Sequence, residues 1–355
     1  MEQRREVVNR YLQQGLRTAA ALPLAEIPRS TYYYKPKQGK AGRKPSTHTS
    51  TQSGELMSNG QVVELIRSIC LEPFLNYGAD MMCLELKNRG LLINKKKVYR
   101  LMKEHRLLYP KRARNETKSR KRVVSNSPCA QFPFQTIELD IKYIYVSGAN
   151  RTAYLLTALD TFSRLALAWT LDYRMKAGQV VALIKRMFQE YPETSESQPL
   201  LRIRTDNGPQ FISKELRSAI QQLPFEHEFI QPGVPQQNGH IESFHHIVSK
   251  SVTSGYEFQD LIHARAVFSE FFRVYNRKRI KKELLGKSPE QFLSLWNQEK
   301  IGLRTNGKKV KFFFKEKPSL GSGSPCEDVH SAIRTKSINN LNSIPLTNSV
   351  QFIGG

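Results

Sequence analysis

TIELDIKYIYV, residues 136–146, alternates in side-chain character along its whole length. Ile137, Leu139, Ile141, Tyr143 and Tyr145 fall on one side, and Glu138, Asp140 and Lys142 on the other. A period of two is the signature of a strand, here with one apolar face and acids on the opposite face. The turn residues SGAN follow, and then AYLLTALD and SRLALAWTL, which read as two further strands of an antiparallel meander. Ala177, Val180, Val181, Ile184, Met187, Phe188 and Tyr191 recur at helical spacing. LLRIRT then reads as a short buried strand, expected to be parallel, that runs into Asp206-Asn207-Gly208. Three strands, a helix and a further strand imply an α/β fold with a mixed sheet.

Functional groups in such sheets sit at strand ends, which is the place Asp206 takes. Gly208 is expected to permit the tight turn after it. A third acid, Glu242, lies in QPGVPQQNGHIESFHHIVSK. Pro232, Gly233 and Pro235 forbid helix at first, so a loop is expected up to about Asn238. Beyond it Ile241, Phe244, Val248 and Val252 form a helical stripe. Glu242 is one residue off that stripe and can look over the sheet toward Asp140 and Asp206. Phosphodiester transfer builds negative charge on the attacking and leaving oxygens, and a pair of divalent cations stabilises both. Hard cations take oxygen ligands, so carboxylates from distant segments suit Mg²⁺. Glu138 shares the face of Asp140 and competes with it for that role. Asp160, at the end of the second strand, is expected to cap the turn before Ser163 and Arg164.

The composition points to a polyanionic partner. There are 55 Lys and Arg against 31 Asp and Glu, a formal net charge of +24 over 355 residues. Neutralising phosphates releases counterions, so nucleic acid is the first candidate. Cys70, Cys83, Cys129 and Cys326 form no C-x-x-C pair, which argues against structural zinc and for free thiols in a reducing compartment. No run of about 18 apolar residues exists, so no membrane span is expected.

Upstream, residues 1–36 read as a short helical segment with a possible DNA-binding role, and residues 37–59 as a linker. Residues 60–109 read as three helices. Val62, Leu65, Ile66 and Ile69 mark the first. Asp80 is the expected cap of the second, which runs to Gly90, and Asn94 that of the third. On the third, Val98, Leu101, Met102 and His105 face inward, while Lys95, Lys96, Arg100 and Lys103 face outward. A basic outer face on the last helix of three is what insertion into a DNA major groove requires. Residues 111–122 carry seven basic side chains and one acid, within a basic linker over 110–131. After the core, expected over 132–296, a basic strand pair or tail is expected at 302–317, with no ordered structure beyond about Ser319. On the Glu242 helix, His246 and Lys250 share the face of Glu242, and Asn238 is a candidate cap. All three are candidates for contact with DNA phosphate. His227 and His245 are read as structural or solvated.

The order of these pieces resembles a known family. The run around Asp140, YLLTALDTFSRLALAW, RTDNGPQF and PQQNGHIESFHHIVSK are similar to the integrase core of bacterial insertion-sequence transposases and retroviral integrases. Thirty-five residues lie between Asp206 and Glu242, as in the family's D,D(35)E pattern. YGADMMCLELKNRGLLINKKKVYRLMKEHRLL resembles the helix-turn-helix ahead of this core, and YNRKRIKKELLGKSPEQFL the family's YN..R....L...SP ending. Here Ile280 and Lys281 stand where the family often has a histidine. The paired cysteines and histidines of the retroviral zinc-binding domain are missing.

The resemblance implies an RNase H-like mixed sheet flanked by helices and preceded by all-α helix-turn-helix modules. It implies that Asp140, rather than Glu138, joins Asp206 and Glu242 as metal ligand, with two Mg²⁺ or Mn²⁺ ions. The implied activity is cleavage of 3′ ends at an element's terminal repeats and transfer of those ends into target double-stranded DNA. It further implies a homo-oligomer in the synaptic complex and a bacterial cytoplasmic, nucleoid-associated setting. A partner protein from an upstream reading frame is a further expectation if the element is read in two frames.

Overall fold

The computed structural model describes residues 2–34, 45–109, 129–192, 201–221, 223–231, 235–306 and 309–315. The chain divides into two compact units, Met1–Thr47 and His48–Gly355. In the first, α1 (Glu2–Gln13), α2 (Thr18–Leu24) and α3 (Arg29–Tyr32) enclose a small core of Val8, Ala21, Leu22, Ala25 and Ile27.

The second unit opens with a hairpin of β1 (His48–Ser50) and β2 (Leu56–Ser58), in a region expected to be linker. These strands are only three residues each, HTS and LMS, too short to show alternation, so nothing in their pattern announces them. Their order comes from tertiary pairing: Gln52 N–H donates to Gly90 and Leu92 N–H to Ser50. Three helices follow, α4 (Asn59–Leu71), α5 (Ala79–Asn88) and α6 (Lys95–Glu104). Ser58 starts α4 through a capping box with Gln61. Asn94 caps α6 by accepting from Lys97 N–H, as its position suggested. Two expectations are corrected. Asp80 does not cap α5: extended Gly78 holds that position, and Asp80 sits in the first turn, 2.6 Å from Lys95. His105 is exposed, because α6 ends at Glu104 and the inward stripe stops at Met102.

The core sheet contains β3 (Thr136–Val146), β4 (Arg151–Asp160), β5 (Ala166–Asp172), β6 (Leu201–Thr205) and β7 (Phe225–Phe229), in the order β5-β4-β3-β6-β7. The first three are antiparallel, and β6 and β7 continue in parallel from β3. This is the RNase H-like arrangement. Between β5 and β6 runs α7 (Ala177–Glu190), and after β6 come α8 (Pro209–Ile212) and α9 (Lys214–Ile220). A short 3₁₀ turn at Pro235–Asn238 leads into α10 (Gly239–Val248), followed by one π turn at Ser249–Thr253. Then come α11 (Leu261–Arg277), α12 (Pro289–Asn297) and a second hairpin, β8 (Ile301–Asn306) with β9 (Lys309–Phe314).

The sheet is buried on both faces, unlike the one-sided strand expected at 136–146. Ile137 and Leu139 pack with Val180, Ile184, Met187, Phe211 and Leu216 on the α7 side. Ile144 and Val146, on the alternate face, pack with Ile241, Phe244, Val248 and Phe268. Tyr143 and Tyr145 remain exposed. Strands of α/β sheets are covered by helices on both faces, so period-two alternation loses its inside and outside meaning along β3.

Asp160 ends β4 fully buried and caps the following turn, as the sequence suggested. It accepts hydrogen bonds from Phe134 N–H (3.2 Å), Phe162 N–H (3.3 Å), Ser163 N–H (2.8 Å) and the Ser163 hydroxyl (2.5 Å). Removing a buried acceptor strands each donor at about 1–3 kcal/mol. Asp160→Ala should therefore destabilise the unit by about 4 kcal/mol. A denaturant midpoint within error of wild type would refute this role.

The YN..R....L...SP pattern turns out to be a set of clasps. Tyr275 OH donates to Arg164 O (3.0 Å). Asn276 brackets Ala166, accepting from its N–H at 3.0 Å and donating to its carbonyl at 2.9 Å. Arg279 donates to the carbonyls of Phe74 and Leu75. Leu284 is fully buried, and Ser288 caps α12 in a capping box with Gln291, with Pro289 at the first turn.

Candidate active site

Asp140 lies on β3, and Asp206 directly follows β6, the strand paired in parallel with it. Glu138 and Arg204 are direct partners in the β3–β6 register. Asp140 and Asp206 stand two residues further along each strand, so both acids emerge on the same face at the same level. Asp206 follows the last residue of β6, where the chain turns into α8. Its Oδ1 accepts from Gly208 N–H at 3.0 Å. The glycine here answers a spatial need rather than a backbone one: its φ is −61°, but an added Cβ would lie 3.0 Å from that same Oδ1.

Asp140 is held by two contacts. Its Oδ1 accepts from Ile141 N–H (2.8 Å), and its Oδ2 lies 3.3 Å from His245 Nδ1. Glu242 stands exposed in the first turn of α10, beside the buried stripe of Ile241, Phe244, Val248 and Val252. Burial pushes the carboxyl of Asp206 up from its ordinary value; the Gly208 N–H opposes this, and the negative charge of Asp140 adds to it. Burial likewise raises Glu242, again with Asp140 adding and with His245 opposing. Asp140 is thus the shared neighbour of the other two acids. Among the described residues, no three His, Cys, Asp or Glu side chains are gathered tightly enough to hold an ion by themselves. The three acids share one electrostatic neighbourhood without forming a closed cluster.

Glu138 lies on the same face but is only 1% exposed. Its Oε2 accepts from Ile241 N–H at 2.8 Å. Desolvation raises its carboxyl to about 7, against the pull of that N–H and of Arg204. Of the two acids on this strand face, Asp140 is the one that reaches solvent, with a quarter of its side chain exposed.

The residues proposed for DNA contact from sequence are spread over α6 and the continuous 3₁₀, α10 and π stretch of 235–253. On α6, Lys95, Lys96 and Lys103 are exposed and Arg100 is half-buried. Lys95 is paired with Asp80, and Arg100 with Glu104 at 3.4 Å. On α10 His246 is exposed. Lys250, in the π turn, is exposed but lies over the ring of Tyr109 and 3.4 Å from Asn76 O. Asn238 precedes α10 but makes no side-chain cap; it is buried, and its Oδ1 has no partner among the described residues. The basic run at 111–122 lies outside the described residues, as does the chain after 315.

Two residues of this site escaped the sequence reading. His245, read as structural or solvated, is buried against Asp140. The available signal was its place at i+3 from Glu242, as near a helical neighbour as His246 at i+4. Arg204, inside an apolar strand, is 4% exposed and reaches Glu228 (3.1 Å) and Gln237 O (2.9 Å). An arginine in a buried strand is itself a signal, since such charges are rarely buried unpaired.

Residues 130–235 match the family described as integrase core domain, and residues 224–289 a second family of the same description. Residues 59–115 match an HTH-like domain. An uncharacterized 39.2 kDa protein of insertion element IS476 from Xanthomonas euvesicatoria is 32% identical over 191 residues, which cover 53% of this chain and 51% of that protein. The chain thus spans about half the length of that relative. The transposase for insertion sequence element IS904 from Lactococcus lactis is 28% identical over 240 residues, covering 64% of this chain and 92% of the relative. Among solved structures, the catalytic core domain of HTLV-2 integrase in complex with magnesium is 17% identical, with a TM-score of 0.35; the match covers 46% of this chain and 98% of that one. With two integrase-core matches in tandem, an HTH-like match ahead of them and relatives from insertion elements, this chain is similar to the transposases of insertion sequences.

Proposed function

We propose that the chain cuts DNA at the ends of an insertion element and joins the freed 3′ ends to target DNA, with Asp140, Asp206 and Glu242 as the carboxylates for two Mg²⁺ or Mn²⁺ ions. The observation that carries the reading is electrostatic. The charge of Asp140, on β3, adds to the burial that raises the carboxyls of Asp206, just after β6, and of Glu242, on α10. Such mutual repulsion is relieved by cations, and a donor set made of carboxylate oxygen suits a hard divalent ion. When bound, the ions supply positive charge to the attacking and leaving oxygens.

The chain's own residues orient the acids. Ile141 N–H and His245 hold Asp140, and Gly208 N–H holds Asp206. In the cutting step a water oxygen bonds to phosphorus, and the 3′ oxygen leaves as a hydroxyl. In the joining step that hydroxyl attacks a target phosphodiester and displaces the target's own 3′ oxygen. One bond is exchanged for another, so no nucleotide cofactor is consumed. The outer face of α6 with Lys96 and Lys103, and His246 of α10 with Lys250 of the π turn after it, are proposed to meet DNA phosphates. Two copies of the chain would hold the two element ends together. A partner from an upstream frame would add DNA recognition.

Labelled element ends incubated with the purified protein and Mg²⁺ should give 3′-nicked and then joined products. Pre-cut ends should be joined without the first step, and a chelator should stop both. Hydrolysis that never yields joined product from pre-cut ends would instead identify a nuclease on the same fold. Binding to DNA with neither product would identify a regulator with an inactive core.

A further inference from the structure

Behind the three acids lies a buried pair that neither motif nor proposed chemistry uses. Glu138 and Arg204 are register partners on β3 and β6, each two residues before an active-site acid. Both are almost fully buried, at 1% and 4% exposure. Yet they are not primarily bonded to each other, their closest approach being 3.7 Å. Their shorter bonds go to the segment that begins α10. Glu138 Oε2 accepts from Ile241 N–H at 2.8 Å, and Arg204 Nη1 donates to Gln237 O at 2.9 Å. Arg204 Nε, at 3.1 Å, is anchored in turn on Glu228 of β7.

Ile241 is the residue immediately before Glu242. The clamp therefore grips both ends of the Gln237–Ile241 stretch, which leads directly into the third acid. A buried ion pair contributes little net stability compared with apolar side chains of similar size. Stability alone does not account for placing two charges here.

We propose that Glu138 and Arg204 are positioning residues that set the register of α10, and with it the reach of Glu242, against Asp140 and Asp206. The inference rests on the reading of those three acids as the cation site. The clamp and two of the acids share the same two strands, so a single rigid pair of strands fixes the acids of the sheet and the helix that carries the remaining one. Groups that orient ligands from behind typically change metal affinity or activity about 10- to 100-fold when removed.

The test uses the full chain, with Mn²⁺ alone as probe. Mn²⁺ affinity is measured by electron paramagnetic resonance without DNA, beside thermal midpoint and DNA-end cutting. Glu138→Ala should weaken Mn²⁺ binding about tenfold or more. Glu138→Gln keeps an acceptor for Ile241 N–H and should recover most of that affinity. Arg204→Lys keeps the charge but not the fork that spans Gln237 O and Glu228, and should show the same loss; it serves if Glu138→Ala does not fold. A lower midpoint with Mn²⁺ affinity unchanged in both Glu138→Ala and Arg204→Lys would mean a merely structural pair and overturn the proposal. Asp206→Asn is the control. If it weakens Mn²⁺ binding while the clamp variants do not, positioning alone fails. If it leaves Mn²⁺ binding intact, the three-acid reading fails and the clamp proposal with it.

Discussion

Asp206→Asn is expected to abolish cutting and joining while leaving DNA binding in place and the metal-free protein no less stable. The substitution is nearly isosteric, and the asparagine oxygen can still accept from Gly208 N–H. What it removes is one negative charge from the group of three. If cations stabilise the transition state by several kcal/mol, losing a ligand charge should lower the cutting rate about 10³-fold or more. The stability effect has the opposite sign. The folded protein raises the Asp206 carboxyl above its ordinary value, through burial and the charge of Asp140. A raised carboxyl means that the ionised form is disfavoured by folding, so at neutral pH its removal relieves strain rather than creating it. Loss of activity with an unchanged or higher thermal midpoint cannot be ascribed to unfolding. Full cutting activity in this variant would sink the assignment of Asp206, whatever the midpoint did.

Asp206 was placed correctly at a strand end because LLRIRT is short, apolar and followed by Asn-Gly, a local pattern with few alternatives. The α10 stripe of Ile241, Phe244, Val248 and Val252 was equally local, and all four are buried. The faces of β3 were misread because local alternation cannot say which helices cover a sheet. Tyr143 and Tyr145 share a side with Ile137 and Leu139, but α7 does not extend over them. Ile144 and Val146, on the side read as polar, are fully buried in the cluster that holds Ile241, Phe244, Val248 and Phe268 of α10 and α11. His245 and Arg204 were missed for a related reason. Each has its meaning only through partners more than 20 residues away, Asp140 for one and Glu228 and Gln237 for the other. The hairpin at 48–58 was missed because its strands are ordered by pairing with Gly90 and Leu92, not by their own apolar content.

The YN..R....L...SP ending was recognised only as a pattern, and Arg279 shows what it does. Its guanidinium joins the helical module to the core, donating to Phe74 O at 2.5 Å and Leu75 O at 2.7 Å, with Tyr77 packed 5.7 Å from its charge. Around it Ile280 N–H donates to the Tyr77 hydroxyl (2.9 Å), and the ring of Phe74 meets Phe271 edge-on at 5.7 Å and stacks on Tyr256 at 5.5 Å. Hydrogen bonds to a charged group contribute about 1.5–3 kcal/mol each. Arg279→Ala should therefore weaken the junction by about 3–5 kcal/mol, leaving two carbonyls without their donor. The neighbouring Lys278 makes a shorter-range comparison, being paired with Glu72 at 2.7 Å but with nearly half its side chain exposed. Exposed pairs contribute about 0–1 kcal/mol, so Lys278→Ala should be close to neutral. Amide hydrogen exchange over residues 74–78 and 271–281 distinguishes the two. Arg279→Ala should accelerate exchange in both segments while the strands β3 and β4 stay protected, because only the junction is opened. Equal protection in the two variants would show that the packing of Phe74 and the Tyr77 contact hold the junction without the arginine of the motif.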